Sequence, residues 1–438
     1  MDYFVVNGGK KLHGEITVNT SKNAAVALLM GALINRGTTR LRNVPQIEEI
    51  NRLCEVLESI GVRITQEGRD LTITPPRRLA LEKIDRAAAR RTRSIIFLLS
   101  VLAAHRTRYA IPQSGGCRLG ARTVAPHAYA LEAFGISVEA RRDHFRVHVR
   151  RTTPSSPVVL YESGDTVTEN ALFAAALTPG RTEIHMASAN YMVQDVCFFL
   201  QKLGVKIRGI GTTTLVVEGR SEIHEDVEYH ISEDPIEAMF FLSAAIVTRS
   251  KVTVRRCPIA FLELELEKLR RMGLTYTCGE PYVSRNRKTV LVDITVFPSR
   301  LTALQEKIYG RPFPGINIDN LPFFAPIAAV TRGRTLIHDW VYENRAIYLT
   351  ELARCGVSVT LLDPHRVAIE GPSRLRNAEV MSPPALRPAA ILLVTMLGAR
   401  GRSVLRNVYQ INRGYENLVP RLQSIGADID LIHETCHA

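Results

Sequence analysis

A pattern repeated six times constrains this chain more than any local motif. Each copy holds an apolar helix-like run, a break marked by Gly or Arg, a short β-like stretch and a second helix closed by glycine and an apolar residue. The first copy reads SKNAAVALLMGALINRGTTRLRNV and then IEEINRLCEVLESIGVRI; the sixth reads LRPAAILLVTMLGARGRSVLRNV and then YENLVPRLQSIGADI. The closing glycines, Gly61, Gly135, Gly204, Gly273, Gly356 and Gly426, stand about 70 to 80 residues apart. That period is too long for the common solenoid units. It predicts six compact α/β modules, with functional residues at equivalent corners of different modules.

The third copy illustrates the module. VVLYESG, DTVTENALFAAAL, TEIHMA, VQDVCFFLQKLGVKI and TTLVVEG follow one another as β-α-β-α-β. Val196, Phe199, Leu200 and Leu203 have the three- and four-residue spacing of one helix face, and the strand pieces are short and β-branched. The glycine after each second helix supplies a left-handed cap that other residues adopt at a cost. Each βαβαββ-like module therefore reads as a small sheet with two helices packed on one face.

Three modules span 20–230 and three span 231–438. The strand at residues 3–6 is expected to pair with the last module, so that the second domain is 1–19 plus 231–438 and the chain crosses between domains twice. The expected architecture is two α/β domains of three modules each, facing a cleft of the kind that ligands favour.

Composition narrows the class. Of 438 residues, 46% are hydrophobic and 23% charged, as in ordinary globular proteins. No run of about 18 apolar residues predicts a membrane span, and no basic-then-apolar leader is apparent. Cys54, Cys117, Cys197, Cys257, Cys278, Cys355 and Cys436 are odd in number and scattered, without a CxxC. That argues against a disulfide framework or a zinc site and fits a reducing cytoplasm. The net charge of +13 admits three readings: a solvated basic surface, a cleft for small anions, or a nucleic-acid surface. The third is disfavoured by thin aromatic interleaving and by the absence of a nucleic-acid-binding motif.

Several residues could carry chemistry. Lys22 and Asn23 open the first helix after Thr20 and Ser21, where a hydroxyl caps free amides. A lysine there is either a solvent-facing residue of the first turn or part of an anion site. It opposes the positive end of the helix dipole, which a surface lysine has no reason to do. GGCRLGAR, residues 115–122, is a cationic Gly-rich loop in which Cys117 beside Arg118 could gain thiolate character. Asp319 precedes an apolar helix, as an N-cap or as a general base aimed into the cleft. Singly, Arg93, Arg122, Arg345, Arg387 and Arg413 are salt-bridge partners. Together with Lys22 they occupy similar corners of several modules and would converge on a multiply anionic compound.

With SKNAA, GGCRLGAR, YENR and NRGYE in order over nearly the whole length, the chain resembles the enolpyruvyl transferases. The likeness is greatest to the branch that acts on UDP-N-acetylglucosamine in peptidoglycan synthesis. The resemblance implies two inside-out α/β domains with threefold pseudo-symmetry, and phosphoenolpyruvate and a uridine nucleotide as substrates, with no metal or organic cofactor. It implies that Lys22, Arg122 and Arg413 hold the phosphate and carboxylate of phosphoenolpyruvate. Asn23 would contact the acceptor, Asp319 would take the acceptor's proton, and Arg93, Arg345 and Arg387 would line the cleft. Cys117 would ride a lid loop, add reversibly to the donor, and be the residue fosfomycin alkylates.

The chain departs from the family pattern in three respects. Ala385 stands where an aspartate usually precedes the cleft arginine, Ala125 where an aspartate recognises uracil, and Asn190 and Met192 where a Glu-Pro-Glu motif has its acids. Donor-handling cations remain while acceptor-side acids change. That pattern implies a changed acceptor, as in the branch that places enolpyruvate on the 3′-hydroxyl of UMP in nucleoside antibiotic pathways. The alternatives are UDP-N-acetylglucosamine itself and an inactive paralogue that binds nucleotides or nucleic acid.

Overall fold

The computed structural model describes residues 2–113, 115 and 123–433; Cys117 and Arg122 lie outside the described residues. Six sheets organise these residues, and each draws mainly on one repeat. The third repeat is representative: Thr214–Gly219 pairs antiparallel with Gly180–His185 and Lys206–Arg208, and Val158–Val159 joins parallel at the edge. The six closing glycines all have positive φ, from 71° at Gly135 to 99° at Gly273, which is the conformation the sequence demands at those caps.

The helices depart from the expected arrangement. They do not sit in pairs on one face of each sheet. The first helix of each repeat enters the interior of its half, with the sheets outside. Pro235–Val247 and Leu386–Gly398 are apolar nearly all round and buried along their length, and they pack on each other and on Phe324–Val330. In the first half the equivalent trio is Lys22–Gly31, Asp165–Ala176 and a broken run through Ser94–Phe97, Leu98–Val101 and Leu102–Ala104. A helix with no polar face is stable only in a core. Among the second helices, Glu48–Ser59 is amphipathic: it buries Ile50, Leu53, Val56 and Leu57, and of its charged residues only Glu49 is buried with them. Two further expectations fall short. The VVLYESG strand is limited to Val158–Val159, and among the described residues the second repeat's sheet has three strands, Arg108–Pro112, Ile136–Ala140 and His144–Val149.

The two halves are laced by exchanged strands. Tyr3–Gly8 is the third strand of the last repeat's sheet, between Gly401–Arg406 and Ile429–Ile432. Glu15–Thr17 pairs parallel with Val252–Pro258, and Val227–His230 completes the sheet of the first repeat beside Thr39–Arg42. The two crossings run side by side: Ser21 N donates to Ser232 O at 2.7 Å and Asp234 N to Asn19 O at 2.9 Å.

Candidate active site

The interior helices of both halves point their N-terminal ends at one cavity of about 230 Å³. Lys22, Asp165 and Leu386, the first residues of three of these helices, line it. Their free amides and aligned dipoles make its walls electropositive before any side chain is counted. Lys22 is placed by its cap: Ser21 Oγ accepts from Ala24 N at 3.2 Å.

Asp319 lies where a turn of the second half meets the cavity. It is not the N-cap that its position suggested. That place belongs to Asn320, without a side-chain cap bond, and Asp319 N instead donates to Asn317 Oδ1 at 2.9 Å. The carboxylate is held between two arginines, Arg345 Nη1 at 3.3 Å from Oδ1 and Arg387 Nη2 at 3.3 Å from Oδ2. Arg345 is fully buried. It is fixed by Asp339, whose Oδ2 is 2.5 Å from its Nε, and by the Ile318 carbonyl, and it stacks 4.2 Å from the Tyr342 ring centre. Arg387 Nη1 donates to the Tyr415 hydroxyl at 3.1 Å. Burial alone would lower the pKa of both guanidiniums. Asp339 outweighs it for Arg345, and Tyr415 with Asp319 and Asp234 does so for Arg387, so both are held above the ordinary value.

Lys22 and Arg413 come from opposite ends of the sequence and share one acid. Glu49 Oε2 is 3.7 Å from Lys22 Nζ and 2.9 Å from Arg413 Nε, while Oε1 accepts from the Thr92 and Ser94 hydroxyls. Burial favours the neutral form of Glu49, but the two cations and the hydroxyls win and its pKa falls below the usual range. Burial, helped by Arg413 and Arg387 and opposed by Glu49, lowers the pKa of Lys22. A bound anion would relieve that strain and hold the ammonium charged.

A second acidic group faces the same space. Asp165 accepts from Ser188 Oγ at 2.6 Å and from Asn190 Nδ2 at 3.2 Å; burial raises its pKa despite both bonds. Glu169, one turn on, is 1% exposed and its Oε1 has no hydrogen-bond partner among the described residues. Burial, then Asp165, pushes its carboxyl well above the usual range. His127 donates to or accepts from Thr166 Oγ1 at 3.0 Å, and burial followed by Arg93 pushes its pKa down to about 3, so it is neutral at physiological pH.

Of the residues expected from the sequence, Lys22, Asn23, Arg93, Asp319, Arg387 and Arg413 all line this cavity. Arg345 stands behind Asp319 and reaches the space through it. Asn23 donates to the Tyr191 hydroxyl at 3.2 Å. Cys117 and Arg122 are not among the described residues. Glu49, Asp339, Tyr415 and Asp165 were not anticipated. Glu49 had one legible sign, an acid beside the apolar positions Ile47, Ile50 and Leu53, but an acid in a helix's first turn has an ordinary explanation in the dipole. The other three become meaningful only through partners distant in sequence.

Comparison with known proteins gives the family and the fold. The profile of the EPSP synthase (3-phosphoshikimate 1-carboxyvinyltransferase) family matches residues 6–422. UDP-N-acetylglucosamine 1-carboxyvinyltransferase 2 of Caldanaerobacter subterraneus subsp. tengcongensis is 32% identical over 432 residues, covering 98% of this chain and 99% of the relative. The UDP-N-acetylglucosamine 1-carboxyvinyltransferase of Gloeobacter violaceus is 32% identical over 428 residues, covering 98% and 90%. Among solved structures, the enolpyruvyl transferase NikO from Streptomyces tendae superposes with a TM-score of 0.82 at 22% identity, covering 98% of both chains; that match speaks for the fold, a two-domain inside-out α/β barrel. With the family profile spanning nearly the whole sequence and relatives similar from end to end, this chain belongs to the EPSP synthase family of carboxyvinyl (enolpyruvyl) transferases.

Proposed function

We propose that this enzyme moves the 1-carboxyvinyl group of phosphoenolpyruvate to the 3′-hydroxyl of UMP and releases phosphate. The observation that carries the reaction is Asp319, pinned by Arg345 and Arg387 within the cavity that also receives Lys22 and Arg413. Lys22 and Arg413, with Arg122, clamp the donor's phosphate and carboxylate. Asp319 takes the proton of the acceptor hydroxyl as its oxygen bonds to C2 of the donor, while C3 gains a proton from the Cys117 thiol. Phosphate then leaves C2 and C3 returns a proton to the Cys117 thiolate, which restores the double bond in the enol ether. Preorganised cations stabilise charge on the leaving phosphate, usually the largest catalytic contribution, and Asp319 adds orientation as well as basicity.

The acceptor reading rests on Asp165 and Asn190. A half-hidden carboxyl that accepts hydrogen bonds suits a hydroxyl of the sugar. Asp165 would receive the 2′-hydroxyl beside the reacting 3′-hydroxyl. A coupled phosphate-release assay with UMP, 2′-deoxy-UMP and UDP-N-acetylglucosamine tests this. Turnover is expected with UMP, with a marked loss for the deoxy analogue. Turnover with UDP-N-acetylglucosamine alone would return the enzyme to the acceptor of its curated relatives. We place the reaction in the cytoplasm; among the described residues no helix is long and apolar enough to cross a membrane.

A further inference from the structure

The interior helices of the second half begin near the candidate active site and end at the opposite pole, where Val247, Val330 and Gly398 line a separate cavity of about 530 Å³. Four arginines surround it: Arg249, Arg374, Arg376 and Arg400. All four are exposed. Arg249 follows the helix cap Thr248, and the Arg376 and Arg400 backbones are bridged. Among the described residues no carboxylate lines the cavity. Nearby acids are engaged elsewhere, Glu370 with Arg334 at 3.3 Å, Glu379 with Arg406 and Asp428 with Lys10. None of the four guanidiniums has a hydrogen bond or ion pair among the described residues.

Basic side chains at helix C-termini have an ordinary role in offsetting the negative end of the dipole. The first half displays that role at its own pole. Arg36 follows Asn35 there as Arg249 follows Thr248; it donates to Ala104 O at 3.3 Å and pairs with Glu222 at 3.0 Å. Arg151 donates to Ala103 O at 2.6 Å, and Arg220 to Leu203 O at 3.1 Å with Glu225 2.6 Å away. That pole is satisfied by its own carbonyls and acids. The second half's pole instead holds four like charges around a hollow. Their mutual repulsion is relieved by an anion that several guanidiniums grip at once.

We infer that this pole is a binding site for a polyphosphate group, whether free or carried by a nucleoside triphosphate, apart from the catalytic cavity. One phosphate engages two guanidiniums; four arginines across a hollow of this size match a chain of phosphates. The test is calorimetric titration of tripolyphosphate and of ATP into the wild-type protein and into Arg374→Glu/Arg376→Glu. The double variant should bind tripolyphosphate at least about tenfold more weakly, with an unchanged rate of enolpyruvyl transfer and an unchanged melting temperature without ligand. Equal affinities for ATP and tripolyphosphate would mean that the phosphate chain alone is recognised, and tighter ATP binding lost in the same variant would mean that the nucleoside adds contacts; both support the site. Arg400→Ser, which removes one exposed side chain and adds no charge, should weaken binding in the same direction. Equal tripolyphosphate binding by wild type and the double variant, or no binding by wild type at physiological salt, overturns the inference.

Discussion

At the scale of single residues, the site depends on which carboxyls are ionised. Asp319 is tied to two guanidiniums, one of them locked by Asp339. Asp319→Asn keeps the size of the side chain and can still accept from one of the two guanidiniums, but cannot accept the acceptor's proton. The transfer rate should fall by about 10²- to 10⁴-fold while phosphoenolpyruvate still binds, as read by single-turnover kinetics and donor titration. A near-normal rate would remove Asp319 as the base. Glu169 is the opposite case. Burial and Asp165 raise its pKa, so the folded protein holds a proton that the unfolded chain gives up once pH passes the ordinary carboxylate range. Stability is therefore lost as pH rises above about 4 toward the raised folded value. Glu169→Gln mimics the protonated form and should raise the melting temperature at pH 7, with the gain disappearing near pH 4. The same gain at both pH values would show that its ionisation is irrelevant.

At the scale of elements, one close approach recurs. Gly219, Gly371 and Gly8 each end a strand against carbonyls at the end of an interior helix. A Cβ on Gly219 would sit 2.1 Å from Ala175 O and 2.2 Å from Thr178 O; one on Gly8 would sit 2.0 Å from Met396 O. Glycine is required there because the strand must lie on the helix terminus with no side chain between them. Gly219→Ala should cost about 1 to 3 kcal/mol. Gly279→Ala, whose new Cβ would meet nothing nearer than Asp293 O at 3.6 Å, should stay within about 0.5 kcal/mol. Chemical denaturation of the two variants compares them directly; equal losses would show that the helix-end packing has slack. The repeat is thus legible twice, once in the left-handed glycines that close the second helices and again in these strand-end glycines.

At the scale of the whole molecule, the candidate site draws on both halves. Lys22, Glu49 and Asp165 come from one, Asp319, Arg387 and Arg413 from the other. We propose 20–230 as one domain and 1–19 with 231–438 as the other, joined by the paired crossings in which Thr20 faces Glu233. Two adjacent strands give a strap that can bend while keeping the halves in register. Donor and acceptor bound together should close the cleft. Small-angle scattering with phosphoenolpyruvate and UMP is expected to give a smaller radius of gyration than the free enzyme. An unchanged radius at saturation would argue for a preformed, rigid site.

The sequence carries the six modules in its own pattern, because helix period, strand chemistry and left-handed glycines are local properties that repeat with the chain. It also marks Lys22, Asp319 and Arg387, because charges at the starts of apolar helices stand out against their surroundings, and Arg413 in the break between a strand and a helix. What those charges meet follows from the packing in three dimensions. Glu49 between Lys22 and Arg413, Asp339 behind Arg345 and Asp165 beside Asn190 are pairings across distant sequence, and a pair's energy depends on separation and burial, which no linear spacing encodes. Packing likewise drew the first helix of each module inside its domain, since only in three dimensions can three apolar cylinders bury one another beneath a shell of sheets.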